Sequence, residues 1–156
     1  NKFRIEIGPK NKASDPFGKL VLSEIKEDLG IVLQSVVVVR VLELNAELSA
    51  RQVGGLCSQL FIDSITDDFS VNSPLFAGES GFCVEIGFLP GVTDNVGLTA
   101  RRGIEDFLGR KLFADESVKS SILYLFSGAL SEQQAVEIAS KKLFNPMIES
   151  VKVSSA

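Results

Sequence analysis

Few residues in this chain have a type and spacing that could do chemistry. Two glycine-containing loops, Gly8–Gly18 and Gly87–Gly97, run from an extended segment into a helical one. A helix N-terminus reached in that way can hold a phosphate or a carboxylate. Neither loop ends in the glycine-lysine-serine/threonine of a Walker loop, and neither has the glycine spacing of a dinucleotide fold. Each carries an aspartate at the helix start, Asp15 or Asp94, whose charge would repel an anion. Both therefore read as strand-helix turns with an N-cap.

The remaining candidates are weaker. Asp67-Asp68 offers two carboxylates, but a hard cation needs further oxygen ligands at set spacings. A turn leading into a strand accounts for the pair. Arg101-Arg102 with Glu105-Asp106, followed by Arg110-Lys111, could grip an anionic substrate. The i, i+4 spacing of Arg101 with Glu105 and Arg102 with Asp106 fits the solvated face of a helix better. Lys141-Lys142 reads the same way. Tyr124 lies in an apolar strand and suits core or sheet surface rather than a catalytic phenol. Cys57 and Cys83 sit among apolar neighbours and read as two buried free thiols. The chain has no histidine, which removes His-based triads, His metal sites and the usual proton shuttle near neutral pH. The expectation is that no catalytic, cofactor-binding or metal-binding residue lies in this chain, and that its role is binding or assembly.

Bulk properties agree with that direction. In 156 residues, 45% are hydrophobic, enough for a packed core, and the net charge is −4 with both signs mixed along the chain. No basic face is apparent, which argues against nucleic acid as a partner, since phosphate neutralisation needs clustered Lys and Arg. The longest apolar runs, Val36–Val39 and Ile122–Phe126, are too short to span a bilayer. Asn1-Lys2-Phe3-Arg4 reads as strand rather than signal peptide. The expected setting is cytoplasmic, without membrane.

The elements that position all these residues come twice. Shifted by 79 positions, residues 3 to 30 match the second half without a gap: Phe3 meets Phe82, Glu6 meets Glu85, Asp15 meets Asp94, Gly18 meets Gly97 and Gly30 meets Gly109. With short insertions, Leu48-Ser49 falls on Leu130-Ser131, Gln52 on Gln134 and Leu60-Phe61 on Leu143-Phe144. Recurring punctuation of this kind marks a repeat. Asp15-Pro16 and Asp94-Asn95 read as helix starts, and Gly30 and Gly109 as helix ends. Between them, Phe17, Leu20, Val21, Ile25 and Leu29 form one helical face, matched by Val96, Thr99, Ala100, Ile104 and Leu108. Ser49–Gln52 and Ser131–Gln134 read as capping boxes. The helices they open carry Val53, Leu56, Cys57, Leu60 and Phe61, or Ala135, Ile138, Ala139, Lys142 and Leu143. Gly54 and Gly55 cost the first of these about 1 kcal/mol each relative to alanine.

Strand patterns cover Phe3–Gly8, Val36–Leu44 and Asp67–Val71, then Phe82–Phe88, Val118–Phe126 and Glu149–Val153. The join at Asn72–Ser80 reads as a turn or short linker. Each half is β-α-β-α-β. The fold expected is α+β: tandem duplicated units at 1–73 and 80–156, forming two ferredoxin-like lobes with pseudo-twofold symmetry in one compact domain. One such unit has too little core to stand alone and needs the other.

Two segments carry more than periodicity. Phe88–Gly109, with its Pro-Gly-Val-Thr-Asp-Asn-Val-Gly run, resembles the amino-terminal region of phosphoribosylformylglycinamidine synthase, and so does Leu143–Val153. The first half, with Asp15-Pro16-Phe17-Gly18 and Leu60-Phe61, is similar to the small PurS subunit of the same enzyme family. The resemblance covers nearly the whole chain as two PurS-like units. It implies a non-catalytic assembly element of a ligase of purine biosynthesis, with ATP and magnesium handled by a partner synthetase domain and glutamine by a partner glutaminase. Two units in one chain fit the excised amino-terminal domain of a long synthase, with a natural two-unit subunit as the other possibility. A small-molecule-binding, ACT-like sensor is the alternative reading. An RNA-binding module ranks last, because Val36–Leu44 offers no aromatic residue for stacking.

Overall fold

The computed structural model describes residues 1–76 and 81–155. Part of the expected join, residues 77–80, lies outside them. The described chain is α+β: four α-helices and a six-stranded antiparallel sheet in the order β3-β1-β2-β5-β4-β6. The strands are β1 (Lys2–Pro9), β2 (Ser35–Asn45), β3 (Asp67–Val71), β4 (Gly81–Phe88), β5 (Ser117–Ser127) and β6 (Glu149–Ser155). The helices are α1 (Pro16–Leu29), α2 (Ala50–Leu56), α3 (Asn95–Leu108) and α4 (Glu132–Ile138).

The caps fall where the sequence puts them. Asp15 takes the amide of Phe17 and Asp94 takes that of Gly97. Gly30 and Gly109 close α1 and α3 in the left-handed region, at φ 70° and 69°, a backbone conformation that is strained for residues with a side chain. Ser49 with Gln52, and Ser131 with Gln134, form reciprocal capping boxes. Both short helices then widen into a π-turn, over Cys57–Phe61 and Ala139–Leu143. Nothing in the apolar spacing announces that widening. It rotates Leu60 out of the expected buried stripe, leaving it exposed, while Val53, Leu56 and Cys57 stay buried.

A second departure concerns α1 and α3. The expected apolar faces include Phe17, Leu20 and Val96, yet Phe17 is 69% and Val96 60% accessible, and Leu20 is exposed as well. The buried stripes run instead through Gly18 and Ile25, and through Gly97 and Ile104. Glycine at the contact lets each helix approach its strand closely. A Cβ on Gly18 would collide with the carbonyl of Val36, and one on Gly97 would lie 2.9 Å from that of Val118. The capping aspartates tie the same joints from their other oxygen: Asp15 Oδ2 accepts from the Val38 amide at 2.9 Å, and Asp94 Oδ2 accepts from the Ser120 amide at 2.6 Å. The Asp-x-x-Gly segments are thus helix-to-strand clasps.

Packing divides the chain into two compact units, and each draws on both sequence halves. The first comprises Asn1–Lys10, Arg40–Leu75 and Thr93–Ser120; the second comprises Asn11–Val39, Phe76–Val92 and Ser121–Ala156. In the first, Ile5 and Ile7 of β1, Leu42 and Leu44 of β2, and Val53 and Leu56 of α2 surround Ile104 of α3. In the second, Val84 and Ile86 of β4, Phe126 of β5 and Ile138 of α4 surround Ile25 of α1. Each packed core therefore takes its long helix from the other half of the sequence.

Candidate functional site

On the first unit a cavity of about 370 Å³ opens between β1, β2 and β5. Strand alternation builds it. In β1 the residues Phe3, Ile5 and Ile7 join the core, which turns Lys2, Arg4 and Glu6 to the opposite face. The antiparallel register sets Lys2 opposite Asn45 and Arg4 opposite Glu43. Ser117 and Lys119 of β5 complete the polar wall. Glu6 stands beyond the lining and is buried; it accepts from Arg4 Nε at 3.1 Å and from the Leu75 amide at 3.1 Å. Arg4 also donates to Glu43 at 3.2 Å.

Asn72 shapes one rim. It is left-handed at φ 59°, alone among the described non-glycine residues. Asparagine tolerates that region when its short side chain bonds locally. Here Oδ1 accepts from the Arg4 amide at 2.8 Å while the Asn72 amide donates to the Arg4 carbonyl at 2.8 Å. Asn72 is thereby fixed at the border of the cavity, which it helps to line. None of the lining residues stood out in the sequence. The signal that finds them is the charge alternation Lys2, Arg4, Glu6 along one strand.

The residues singled out from sequence serve the fold. Asp67 accepts from Arg40 and from the Asp63 amide, both at 3.0 Å, and Asp68 takes the Phe69 amide; this is the strand-leading turn expected. Lys141 pairs with Glu137, and Lys142 with Asp28. Tyr124 packs against the second core, and burial, then the charge of Glu149, pushes its phenol up. Cys57 is buried, and burial pushes its thiol up to about 11; Cys83, expected to be buried too, is only half-buried, because it lies on the β4 face opposite Val84 and Ile86.

The Arg101–Glu105 pair does not form. Arg101 turns to the carbonyls of Leu112, Phe113 and Glu116, and Glu105 takes the Leu112 amide at 2.8 Å. The turn after α3 places three carbonyls within reach of one planar guanidinium, whose fixed fork of donors can engage them together. Arg110 meanwhile holds the buried Glu116, which also accepts the amides of Phe113 and Glu47. Those bonds, led by that of Arg110, bring the Glu116 carboxyl down to about 2. Among the described residues, every buried side-chain polar atom has a partner and no group of three metal-ligating side chains comes together. No helix there is long and apolar enough to cross a membrane.

Compared with known proteins, the chain matches no family model and no curated relative.

Proposed function

We propose that the chain is a non-catalytic assembly element of phosphoribosylformylglycinamidine synthase, helping its glutaminase and its ATP- and magnesium-using synthetase to meet. The observation that carries this reading is the set of large apolar side chains that each long helix, in its own unit, leaves exposed. Phe17 and Leu20 on α1, and Val96, Leu98 and Phe107 on α3, stay exposed although the helices are well seated on their cores. Large apolar side chains left in water by a folded protein mark surfaces that bind other proteins. The sequence resemblance of Phe88–Gly109 and Leu143–Val153 supplies the identity of the partners.

The same reading takes the chain as two tandem PurS-like, ferredoxin-like copies. Its support lies in matched detail: helices α1 and α3 of 14 residues, strands β2 and β5 of 11, and two short helices each running into a five-residue π-turn.

The test is co-sedimentation of the chain with the synthetase domain and glutaminase of such a synthase, and glutamine-dependent turnover of the reconstituted enzyme. Phe17→Asp and Val96→Asp, on exposed sites, should keep the fold and lose association. Full association and turnover in the double variant would end the reading. A small-molecule sensor is the second reading, favoured by the cavity. A rise in melting temperature with an amino acid, absent in a variant of the cavity wall, would favour it.

A further inference from the structure

We infer that the cavity on the first unit is a binding site for a small phosphorylated anion. This does not depend on the assembly reading. Its wall carries Lys2, Arg4 and Lys119 against the single carboxylate of Glu43. Arg4 is already engaged by Glu6 and Glu43. Lys2 and Lys119 have no carboxylate partner among the described residues, so the cavity keeps a net positive wall. Ammonium groups act as compact point charges on phosphate, and Asn72, held left-handed, borders the cavity beside them.

The charges are not there for the sheet. The second unit has the same register, with Gly81 opposite Ser127 and Cys83 opposite Leu125 where the first has Lys2 opposite Asn45 and Arg4 opposite Glu43. The third residue of β5 is Lys119; the third of β2 is Val37, which is buried. The fold accepts glycine, cysteine and valine at these places. Cations gathered at all three in one unit only, around about 370 Å³ of space, match the size of a small-metabolite cleft.

The experiment uses the full chain with pyrophosphate as probe and acetate as control, followed by amide chemical shifts. Saturable shifts at residues 2–4, 43–45, 72 and 117–119 are expected, with a dissociation constant of about 1 mM or tighter. The double variant Lys2→Gln/Lys119→Gln should weaken binding by more than about tenfold, since both charge-assisted contacts to the anion are lost. Its melting temperature should match that of the parent, because both side chains are exposed. Shifts mapping elsewhere, no saturation, or equal binding by the folded double variant would overturn the site. Acetate binding as tightly as pyrophosphate would overturn the phosphate assignment.

Discussion

Arg110 grips Glu116 with both arms of its guanidinium, Nη1 on Oε1 at 2.8 Å and Nη2 on Oε2 at 3.2 Å. The carboxylate is buried and also receives the amides of Phe113 and Glu47 at 2.8 Å each. It therefore joins the loop before α2 to the loop after α3.

The pH consequence follows from linkage. The Glu116 pKa falls from an ordinary 4.5 to about 2 in the folded chain. A depressed folded value means stability that is present above the unfolded pKa and lost as pH falls through the folded one. Urea midpoints of the parent should drop between about pH 4.5 and 2 more steeply than those of Glu116→Gln. The two should differ most near neutrality and converge in acid. An equal difference at pH 6 and pH 2.5 would contradict this.

Glycine substitutions should split by site. Gly18→Ala drives a methyl into the Val36 carbonyl and the Asp15 carboxylate, and should destabilise by about 1–3 kcal/mol, as overpacking does. Gly54→Ala meets nothing within 4 Å inside α2 and should stabilise by about 0.4–1 kcal/mol. Chemical denaturation of both variants decides it. Effects of the same sign would refute the clasp.

The thiols should react in sequence. At pH 8 the Cys57 thiol stays protonated, because burial holds its pKa near 11, whereas Cys83 is half-buried and closer to reagent. A thiol-specific reagent should label Cys83 first and Cys57 only on unfolding. Labelling of both at one rate in the native chain would contradict the packing.

Neither half of the chain should fold alone as a monomer. A fragment 1–76 has β1, β2, α2 and β3 but lacks Ile104 and Leu112, which belong to their core. A fragment 79–156 has β4, β5 and α4 without Ile25, Ile31 or Leu33. Each should dimerise or remain poorly ordered, and mixing the two should restore helicity and cooperative melting. A well-ordered monomer in sedimentation would refute the interleaving.

Much of this was legible in the sequence because it is local. Caps, capping boxes and strand periods depend on neighbours a few residues apart, so Asp15, Ser49, Gly30 and their counterparts could be placed directly. What failed was anything decided by distant packing. Phe17 and Leu20 count as apolar, yet the face that docks is chosen by the smallness of Gly18, which adds nothing to an apolar count. The π-turns, the diversion of Arg101 to carbonyls and the exchange of long helices leave no mark in spacing. The cavity's wall is drawn from residues 2–4, 43–45, 72, 117 and 119, and only the charge alternation along β1 marks any of them in the sequence.

The exchange of helices also sets a clock on synthesis. The first core is built on Ile5, Leu44 and Leu56, but it closes only with Ile104 and Leu112 and with Val118 packed against it. At about 5–20 residues per second, the interval between making Val71 and Val118 is roughly 2–9 s. For that time a nascent chain carries most of one core without α3 to shut it. Any factor that guards apolar segments at the ribosome would have its longest engagement there, ahead of the last strands rather than after them.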